Sequence, residues 1–308
     1  MRIAFLGTPD FALPSLKMLI EQGHTLHVFT QPDKPVGRKA VMTPPPVKAM
    51  ALEHGIPVFQ CEKIRMPEGV KALRDFAPDL MVTAAFGQIL SAENLAVPKY
   101  GCINVHGSIL PKYRGAAPIQ WAVINGEKES GVTTMMTDVG LDTGDILLVK
   151  KTPIGEDETA GELFDRLAVL GAELLRETID ALEAGTLTRT PQNEAEATKC
   201  GMLKKEDGHV DFARGMQYAH DRVRGMNPWP GAFALCDGEV IKLWKTKKTD
   251  LPSEGTPGKC IIADPKKGLF VDAGDGVIEV VELQFPGAKR MDAKTALRGH
   301  DLNGKVLQ

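Results

Sequence analysis

Short apolar runs alternate with helix-patterned segments through the first half of the chain. The run at 2–6 ends at Gly7 and precedes a helical pattern, and the run at 80–85 shows no apolar–polar alternation. Continuous hydrophobicity of this kind is typical of parallel strands that helices cover on both faces. The chain is therefore predicted to be an α/β protein, with a Rossmann-like, doubly wound sheet that holds its site at the carboxyl ends of the strands.

The turn after the first strand excludes one common use of such a sheet. It reads Gly7-Thr8-Pro9-Asp10-Phe11, which lacks the G-x-G-x-x-G pattern of dinucleotide-binding folds. Pro9 also removes a backbone N–H that a pyrophosphate cradle would use. A nicotinamide-dependent enzyme is therefore rejected.

The second half of the chain is patterned differently. A capping-box signature, Thr159 with Glu162, begins a leucine-rich helix that is predicted to close at Gly185. A polar stretch without apolar period follows, and then about five short strands separated by Asp-Gly and Gly-Asp turns. The sequence thus predicts a first domain at 1–188, a linker at 189–207 and a small antiparallel, OB-like β-barrel at 208–308.

The composition is that of an ordinary globular protein, with 43% hydrophobic and 25% charged residues among 308. No apolar stretch approaches the roughly 18 residues needed to span a bilayer, and the first residues are interpreted as a strand rather than an export signal. A cytoplasmic protein without membrane contact is therefore expected. The five cysteines include no C-x-x-C pair, so we expect neither a disulfide framework nor a bound metal.

The charge is unevenly divided. The net charge of −3 separates into −6 for residues 1–198 and +3 for residues 199–308. A basic C-terminal part favours a polyanionic partner, although surface variation alone can produce a difference of this size.

Three polar side chains stand out near predicted strand ends. Asn104 and His106 are two residues apart at the end of one strand, so their side chains leave the same face of the sheet. Asp142 lies in an acidic, glycine-containing turn between two later strands. Taken singly, each also fits a structural role, as a satisfied polar strand end or part of a solvated hairpin.

Together the three form a set of carboxamide, imidazole and carboxylate, with no serine or cysteine obviously placed as a nucleophile. Such a set suits direct acyl transfer to an amine. Asn104 and a protonated His106 can donate hydrogen bonds to the oxyanion, and a nearby Asp142 would stabilise the imidazolium.

The motifs around these residues resemble those of a known family. Asn104-Val-His106-Gly-Ser-Ile-Leu-Pro111, Arg114-Gly-x-x-Pro118 and Leu141-Asp142-Thr-Gly are similar to the signature of the 10-formyltetrahydrofolate-dependent formyltransferases. Further segments resemble the branch of that family that formylates methionyl initiator tRNA; they are Gly7-Thr-Pro-Asp-Phe, Pro32-Asp-Lys-Pro-x-Gly37-Arg38 with Pro44-Pro-Pro-Val-Lys48, and Asn227-Pro-Trp229-Pro-Gly231. The resemblance covers essentially the whole chain.

The resemblance implies a function and the residues that carry it. Asn104, His106 and Asp142 would transfer a formyl group from 10-formyltetrahydrofolate to the α-amino group of methionine on initiator tRNA, a step of translation initiation. We expect a monomer to do this. Two segments would line the pocket for the folate co-substrate, and they comprise Phe86, Gly87, Gln88, Ile89 and Leu90, and Ser108, Ile109, Leu110 and Pro111.

A basic loop is the first candidate for tRNA contact. Segment 31–48 is proline-rich and is interpreted as too irregular for a helix or strand. In the family this loop enters the acceptor end of the tRNA, which implies contacts from Arg38 and Lys39. Lys39-Ala40-Val41 stands where many relatives have Gly-Lys-Lys, so one basic charge is missing here.

The predicted barrel supplies the second candidate. Trp244 is interleaved with four lysines, Lys242, Lys245, Lys247 and Lys248. Bases interleaved with an aromatic suit a groove that follows RNA phosphates. A core position for Trp244, with lysines protecting an edge strand, fits the same pattern equally well.

Three other functions fit the residues. A sugar-nucleotide amine formyltransferase would share the catalytic domain, but the tRNA-type loop and the basic second domain argue against it. A formyltetrahydrofolate hydrolase would use water as the acceptor and release formate without tRNA. A folate-sensing RNA-binding protein would bind both ligands without turnover, and its activity would survive Asn104→Ala.

Overall fold

The computed structural model describes residues 1–37 and 39–308. The chain forms two compact units that alternate along the sequence. The first contains Met1–Gly115, Ser130–Thr152 and Phe164–Lys199, and the second contains Ala116–Glu129, Pro153–Leu163 and Cys200–Gln308. Two stretches that precede the expected linker thus belong to the second unit, and the contiguous domain boundaries at 188 and 208 stay a prediction.

The described residues form strands and helices throughout the chain. The strands are β1 Arg2–Gly7, β2 Thr25–Thr30, β3 Lys34–Val36, β4 Val41–Thr43, β5 Val58–Gln60, β6 Leu80–Ala84, β7 Cys102–His106, β8 Arg114–Gly115, β9 Glu129–Met136, β10 Ile146–Pro153, β11 Lys199–Cys200, β12 Ala232–Cys236, β13 Glu239–Lys248, β14 Cys260–Asp264, β15 Gly268–Asp272, β16 Val277–Gln284 and β17 Met291–Asp292. The α-helices are α1 Leu13–Glu21, α2 Pro46–Glu53, α3 Pro67–Phe76, α4 Ala92–Leu95, α5 Pro118–Ile124, α6 Ala160–Glu183, α7 Met216–Gly225 and α8 Ala293–Ala296. Four of these helices, α1, α2, α3 and α5, have a proline in the first turn, where the missing N–H breaks no helical hydrogen bond.

The first unit is built on a seven-stranded sheet in the order β10-β9-β7-β6-β1-β2-β5. The pairs β1–β2, β1–β6, β2–β5 and β6–β7 are parallel, whereas β9 runs antiparallel to β7. The residues of β6 are buried throughout, as expected for a strand covered on both faces. The α/β, doubly wound prediction is therefore confirmed, and the carboxyl ends of β1, β2, β6 and β7 share one edge.

Segment 31–48 is more regular than expected. Lys34–Val36 and Val41–Thr43 pair antiparallel as β3 and β4, and α2 begins at Pro46. The interpretation of this segment as free of helix and strand is therefore wrong. The strands were missed because each is only three residues long and β3 contains Pro35, so neither shows the apolar alternation that predicts a strand.

The second unit contains an antiparallel sheet in the order β12-β13-β16-β15-β14, with β17 added to β16. The C-terminal residues close it. Gln308 and Leu235 exchange two backbone hydrogen bonds at 2.6 and 2.8 Å, while Cys260 N–H donates to Lys305 C=O at 2.8 Å. One short segment thus joins the strands at both edges of the sheet, so the predicted small antiparallel barrel is confirmed; its core includes Leu243, Val271 and Val280.

The predicted capping box is also present. Glu162 accepts a hydrogen bond from Thr159 N–H at 2.8 Å, and Thr159 Oγ1 accepts one from Glu162 N–H at 3.2 Å. The hydrogen bonds that the Glu162 carboxylate accepts from Thr159 N–H and from Thr159 Oγ1 lower its pKa, because they favour its charged form. Among the helices of residues 1–37 and 39–308, none has the length and apolarity to cross a membrane.

Candidate active site

The end of β7 brings the three predicted site residues together. Asn104 and His106 lie two residues apart on this strand, and the loop between β9 and β10 carries Asp142. Asn104 Nδ2 is 3.4 Å from Asp142 Oδ1, and His106 Nδ1 is 3.7 Å from Asp142 Oδ2. An amide, an imidazole and a carboxylate therefore meet beside the sheet's carboxyl edge.

The orientation of the Asn104 amide is set by a neighbouring strand. Thr83, on β6, donates a hydrogen bond from Oγ1 to Asn104 Oδ1 at 2.9 Å. The carbonyl oxygen of the amide is thereby occupied, so its NH₂ group points toward Asp142. At 3.4 Å that contact is long for a hydrogen bond, and the NH₂ group keeps the capacity to donate elsewhere.

The His106 ring is oriented from its other side. Nε2 lies 3.0 Å from the backbone carbonyl of Tyr113. Because a carbonyl can only accept, Nε2 carries a proton in this arrangement, and Nδ1 is the nitrogen that faces Asp142. The residue is only 6% exposed, so its orientation is maintained by packing as well.

Asp142 is held in an unusual backbone conformation. Its φ of +53° lies in the left-handed region, which is uncommon for a residue with a side chain. The carboxylate accepts a hydrogen bond from Gly115 N–H at 2.8 Å. Two residues later the loop packs so tightly that a Cβ on Gly144 would lie 1.7 Å from Met136 C=O, so only glycine fits there.

Cys102 and Ser108, the cysteine and serine nearest to Asn104 and His106 in the sequence, are unsuited to covalent catalysis. Cys102 is on the same strand, but burial raises the pKa of its thiol to about 12. Ser108 is buried and donates its hydroxyl hydrogen to Lys112 C=O at 2.7 Å. Neither is poised as a nucleophile, which agrees with an acyl transfer that forms no covalent intermediate with the enzyme.

The first predicted folate segment, Phe86–Leu90, directly follows β6. Phe86 C=O accepts hydrogen bonds from Thr8 Oγ1 at 2.9 Å and Gln31 Nε2 at 3.0 Å. The amide of Gln88 is used within the protein, because it bonds Ile64 N–H at 2.6 Å and Cys61 C=O at 2.7 Å. Phe86 and Leu90 are buried, Gly87 is exposed, and Ile89 is 69% exposed.

The second predicted folate segment, Ser108–Pro111, follows the neighbouring strand β7. Its backbone is held by Thr133, whose Oγ1 accepts from Leu110 N–H at 3.1 Å and donates to Ser108 C=O at 2.7 Å. Ser108 and Leu110 are buried, while Ile109 and Pro111 are partly exposed. The two segments therefore follow adjacent strand ends, and each has backbone groups held by side-chain hydrogen bonds.

The predicted tRNA-contacting lysines differ in exposure. Lys39, Lys245 and Lys247 are exposed, whereas Lys242 and Lys248 are half-buried. Arg38 lies outside the described residues. Lys248 forms an ion pair with Glu156, so part of its charge is already compensated.

Trp244 lies on the outer face of β13. Leu243, its neighbour on the strand, is fully buried in the barrel core, and Trp244 on the alternate face is half-buried. Two cations flank the indole: Lys242 Nζ lies 5.5 Å and Arg290 Cζ 5.1 Å from the ring centroid. The alternative of a core tryptophan is therefore wrong. Sequence reasoning missed Arg290, which is distant along the chain, although the Lys289-Arg290 doublet was a possible signal.

Metal-ligating side chains show no clustering in the described part of the chain. No group of three or more His, Cys, Asp or Glu residues there has the arrangement of a metal site.

Comparison with known proteins places the chain. The formyl transferase family model matches residues 1–179, and the model of the formyl transferase C-terminal domain matches residues 202–301. A methionyl-tRNA formyltransferase of Ruminiclostridium cellulolyticum is 50% identical over 306 residues, covering 98% of each chain. One of Geotalea uraniireducens is 52% identical over 309 residues, covering 100% of this chain and 98% of that relative.

A solved structure shares the fold. It is an N-formyltransferase of Helicobacter canadensis in complex with folinic acid and dTDP-3-aminofucose. The TM-score is 0.70 at 20% identity, over 94% of this chain and 99% of that one. Fold, motifs and family models agree, and the chain belongs to the formyl transferase family.

Proposed function

We propose that this protein transfers the formyl group of 10-formyltetrahydrofolate to the α-amino group of methionine on initiator tRNA. The observation that carries the proposal is the convergence of the Asn104 amide and the His106 imidazole on one carboxylate, that of Asp142. Relatives named methionyl-tRNA formyltransferase, about half identical over the whole chain, support the choice of acceptor.

The chemistry follows from the donors. The free amine attacks the formyl carbon, a new C–N bond forms, and the carbonyl oxygen takes up negative charge. Asn104 Nδ2 and a protonated His106 Nδ1 face the same carboxylate at 3.4 and 3.7 Å, so a formyl oxygen that enters beside it can accept from both. When the bond to folate N10 breaks, the oxyanion returns to a carbonyl, N10 takes up a proton and the attacking nitrogen loses one.

The co-substrate is proposed to bind along segments 86–90 and 108–111. Their backbones are held by internal hydrogen bonds, which leaves the exposed Ile89 and the partly exposed Ile109 for contact with a flat aromatic ring. Gln88 would contribute backbone groups rather than its side-chain amide, because the amide is already bonded to Ile64 and Cys61. No metal takes part in the proposed reaction.

Two basic surfaces are proposed to hold the tRNA. The hairpin of β3 and β4 carries Lys39, with Arg38 beside it in the sequence, and β13 carries Lys242, Trp244 and three further lysines. An aromatic ring with cations close by can contact a base while the cations contact phosphates. The protein is proposed to act as a monomer in the cytoplasm, where initiator tRNA is charged and used.

The function is tested by incubating the purified protein with formyl-folate and charged initiator tRNA. Mass spectrometry of the released aminoacyl group is expected to detect N-formylmethionine, and omission of formyl-folate is expected to abolish it. Two outcomes would overturn the proposal: formylation of a UDP-aminosugar but not of the tRNA, or release of formate with no acceptor present. Binding of both ligands without any turnover would also overturn it.

The barrel surface is tested by a paired substitution. Lys245→Ala with Lys247→Ala is expected to raise KM for tRNA and reduce the slope of its salt dependence by about one for each lost phosphate contact, with kcat unchanged. Lys266→Ala with Lys267→Ala removes the same charge from a different exposed hairpin and is the matched control. Equal effects of the two pairs would show that net charge, rather than this face, attracts the tRNA.

A further inference from the structure

Segment 190–198 lies against the loops that carry the site, although its polar sequence predicts a linker. At one end, Thr190 and Ile146 exchange two backbone hydrogen bonds at 2.8 and 2.9 Å. At the other end, Thr198 C=O accepts from Arg114 N–H at 2.9 Å, and Thr198 Oγ1 accepts from Tyr113 N–H at 2.8 Å. The segment is therefore anchored by hydrogen bonds at both of its ends.

The Gln192 side chain, within this segment, hydrogen-bonds the backbone of the loop that carries Asp142. Its Nε2 donates to Asp142 C=O at 2.8 Å and to Gly144 C=O at 2.7 Å. A side-chain amide has two N–H groups, so both are used here. These two hydrogen bonds are called the Gln192 clamp. The clamp holds the backbone of Asp142, whose left-handed conformation needs support from its surroundings, and it fixes the direction in which the Asp142 carboxylate projects.

Arg114 keeps the Gln192 amide in the orientation that this clamp requires. The guanidinium is 2% exposed, and its Nε donates to Gln192 Oε1 at 3.0 Å. Its Nη1 and Nη2 form a two-pronged contact with Glu194, at 3.0 and 2.7 Å. Because the arginine occupies the amide oxygen, the NH₂ group must face the two carbonyls.

The backbone on either side of Arg114 contacts the site directly. Tyr113 C=O accepts from His106 Nε2, and Gly115 N–H donates to the Asp142 carboxylate. The contacts thus form a closed network, which runs from the His106 imidazole through Arg114 and Gln192 to Asp142, the residue that the imidazole faces. A shift anywhere along it changes how the carboxylate meets the imidazole.

We propose that Gln192 is a positioning residue that places the Asp142 carboxylate against His106 and Asn104, and that the Arg114–Glu194 ion pair holds Gln192 in place. This inference rests on the proposed function, because Asp142 is taken to serve formyl transfer. A displacement of about 1 Å at a reacting group can cost about 10²-fold in rate. Loss of the clamp is therefore expected to lower kcat without weakening the binding of either substrate.

The test compares variants that differ only in the clamp. Gln192→Glu keeps the side-chain length and an oxygen for Arg114 but removes the NH₂ group, and kcat is expected to fall about 10²-fold with both KM values within about 2-fold of wild type. Gln192→Ala is expected to act similarly. Glu196→Gln, an exposed residue of the same segment, is the matched control and is expected to retain wild-type kcat.

A double-mutant cycle separates positioning from general stabilisation. In an Asp142→Ala background, Gln192→Glu is expected to cause no further loss of kcat, because the group it positions is gone. Losses that multiply would overturn the proposal, as would wild-type kcat in Gln192→Glu or in Asp142→Ala alone. If the Gln192 variants do not fold, Glu194→Gln is taken through the same cycle, because it weakens the ion pair that holds Arg114. It is expected to lower kcat about 10-fold in the wild-type background and not at all in the Asp142→Ala background. Losses that multiply in this cycle would overturn the proposal equally. Absence of formyl transfer by the wild-type protein would instead count against the proposed function.

Discussion

Two buried histidines, one in each compact unit, share a backbone carbonyl as the partner of one ring nitrogen and differ in what the other nitrogen faces. His106 is 6% exposed and His220 is 2% exposed. In both, Nε2 contacts a backbone carbonyl, that of Tyr113 at 3.0 Å and that of Glu156 at 3.1 Å. The difference is at Nδ1. In His220 it pairs with Thr246 Oγ1 at 3.0 Å, whereas in His106 it faces a carboxylate at 3.7 Å, outside hydrogen-bond distance.

Burial and one ring hydrogen bond are therefore not signs of a functional histidine. His220 has a neutral hydrogen-bond partner at each nitrogen, and a neutral ring that donates from Nε2 and accepts at Nδ1 satisfies both; the Asp157 carboxylate lies beside the same Nε2, at 3.4 Å. His106 instead points its second nitrogen at a charged group beside an amide donor. The environment of the second nitrogen distinguishes the ring proposed to assist chemistry from the ring that stabilises the fold.

The largest expected effect concerns the same substitution at both positions. His106→Ala is expected to lower kcat about 10²–10⁴-fold, because it removes a proton donor from the proposed oxyanion site, and His220→Ala is expected to leave kcat within about 2-fold. Single-turnover formylation, measured at a temperature where both variants are folded, gives the two rates. Comparable losses in both variants would remove the distinction between the two rings.

The second largest expected effect concerns Asn104, the amide donor that lies beside His106 and has no counterpart beside His220. Asn104→Ala removes the amide donor and is expected to lower kcat about 10²–10³-fold, with KM for formyl-folate little changed. Thr83→Val, which removes only the hydrogen bond that orients this amide, is expected to cause a smaller loss. An Asn104→Ala enzyme that turns over normally would contradict the proposed mechanism.

Most of the fold could be predicted because its elements depend on burial. Strands such as β1 and β6 are apolar where helices cover them, and that pattern is visible in the sequence. The β3–β4 hairpin was missed because its side chains are exposed and carry no burial signal. The sequence predicts a linker at 190–198 for a related reason: this segment contributes through side-chain and backbone hydrogen bonds, which leave no apolar period in the sequence.

The candidate site divides in the same way. Asn104 and His106 could be paired from their spacing on one strand, and Asp142 could be added as a carboxylate in a turn between two later strands that suits an imidazolium. The partners of these residues could not be predicted. Gln192 is 50 positions from Asp142 in the chain, and only the folded backbone shows that the two are in contact.

The third effect is on stability. His220→Ala leaves Thr246 Oγ1 and Glu156 C=O without the ring, so the free energy of unfolding is expected to fall by about 1–3 kcal/mol. Urea unfolding measures this change. His54→Ala, at an exposed histidine, is the control and is expected to change stability by less than about 0.5 kcal/mol. An equal and small effect of both substitutions would mean that the His220 hydrogen bonds add nothing to stability.

The smallest effect is a pH dependence that arises from the same ring. Burial lowers the pKa of His220 below 6.5, since the charged ring would lose its water. The hydrogen bond to Glu156 C=O favours the proton, as do Asp221 and Asp157, whose Oδ1 lies 3.4 Å from Nε2, whereas Arg224 disfavours it. As the pH falls, the unfolded chain therefore takes up this proton before the folded protein does. The contribution of His220 to the free energy of unfolding is fully present above about pH 6.5. It decreases below that pH, by at most about 1.4 kcal/mol per pH unit, until the folded ring is protonated as well. Burial also lowers the pKa of His24 and His27, so these residues contribute to the same pH dependence. The free energy of unfolding is therefore measured by urea unfolding from pH 7 to pH 5 for wild type and His220→Ala. The difference between their slopes against pH gives the contribution of His220. Parallel curves for the two proteins would show that His220 takes up its proton equally well in the folded and unfolded chains, and the contrast with His106 would then rest on catalysis alone.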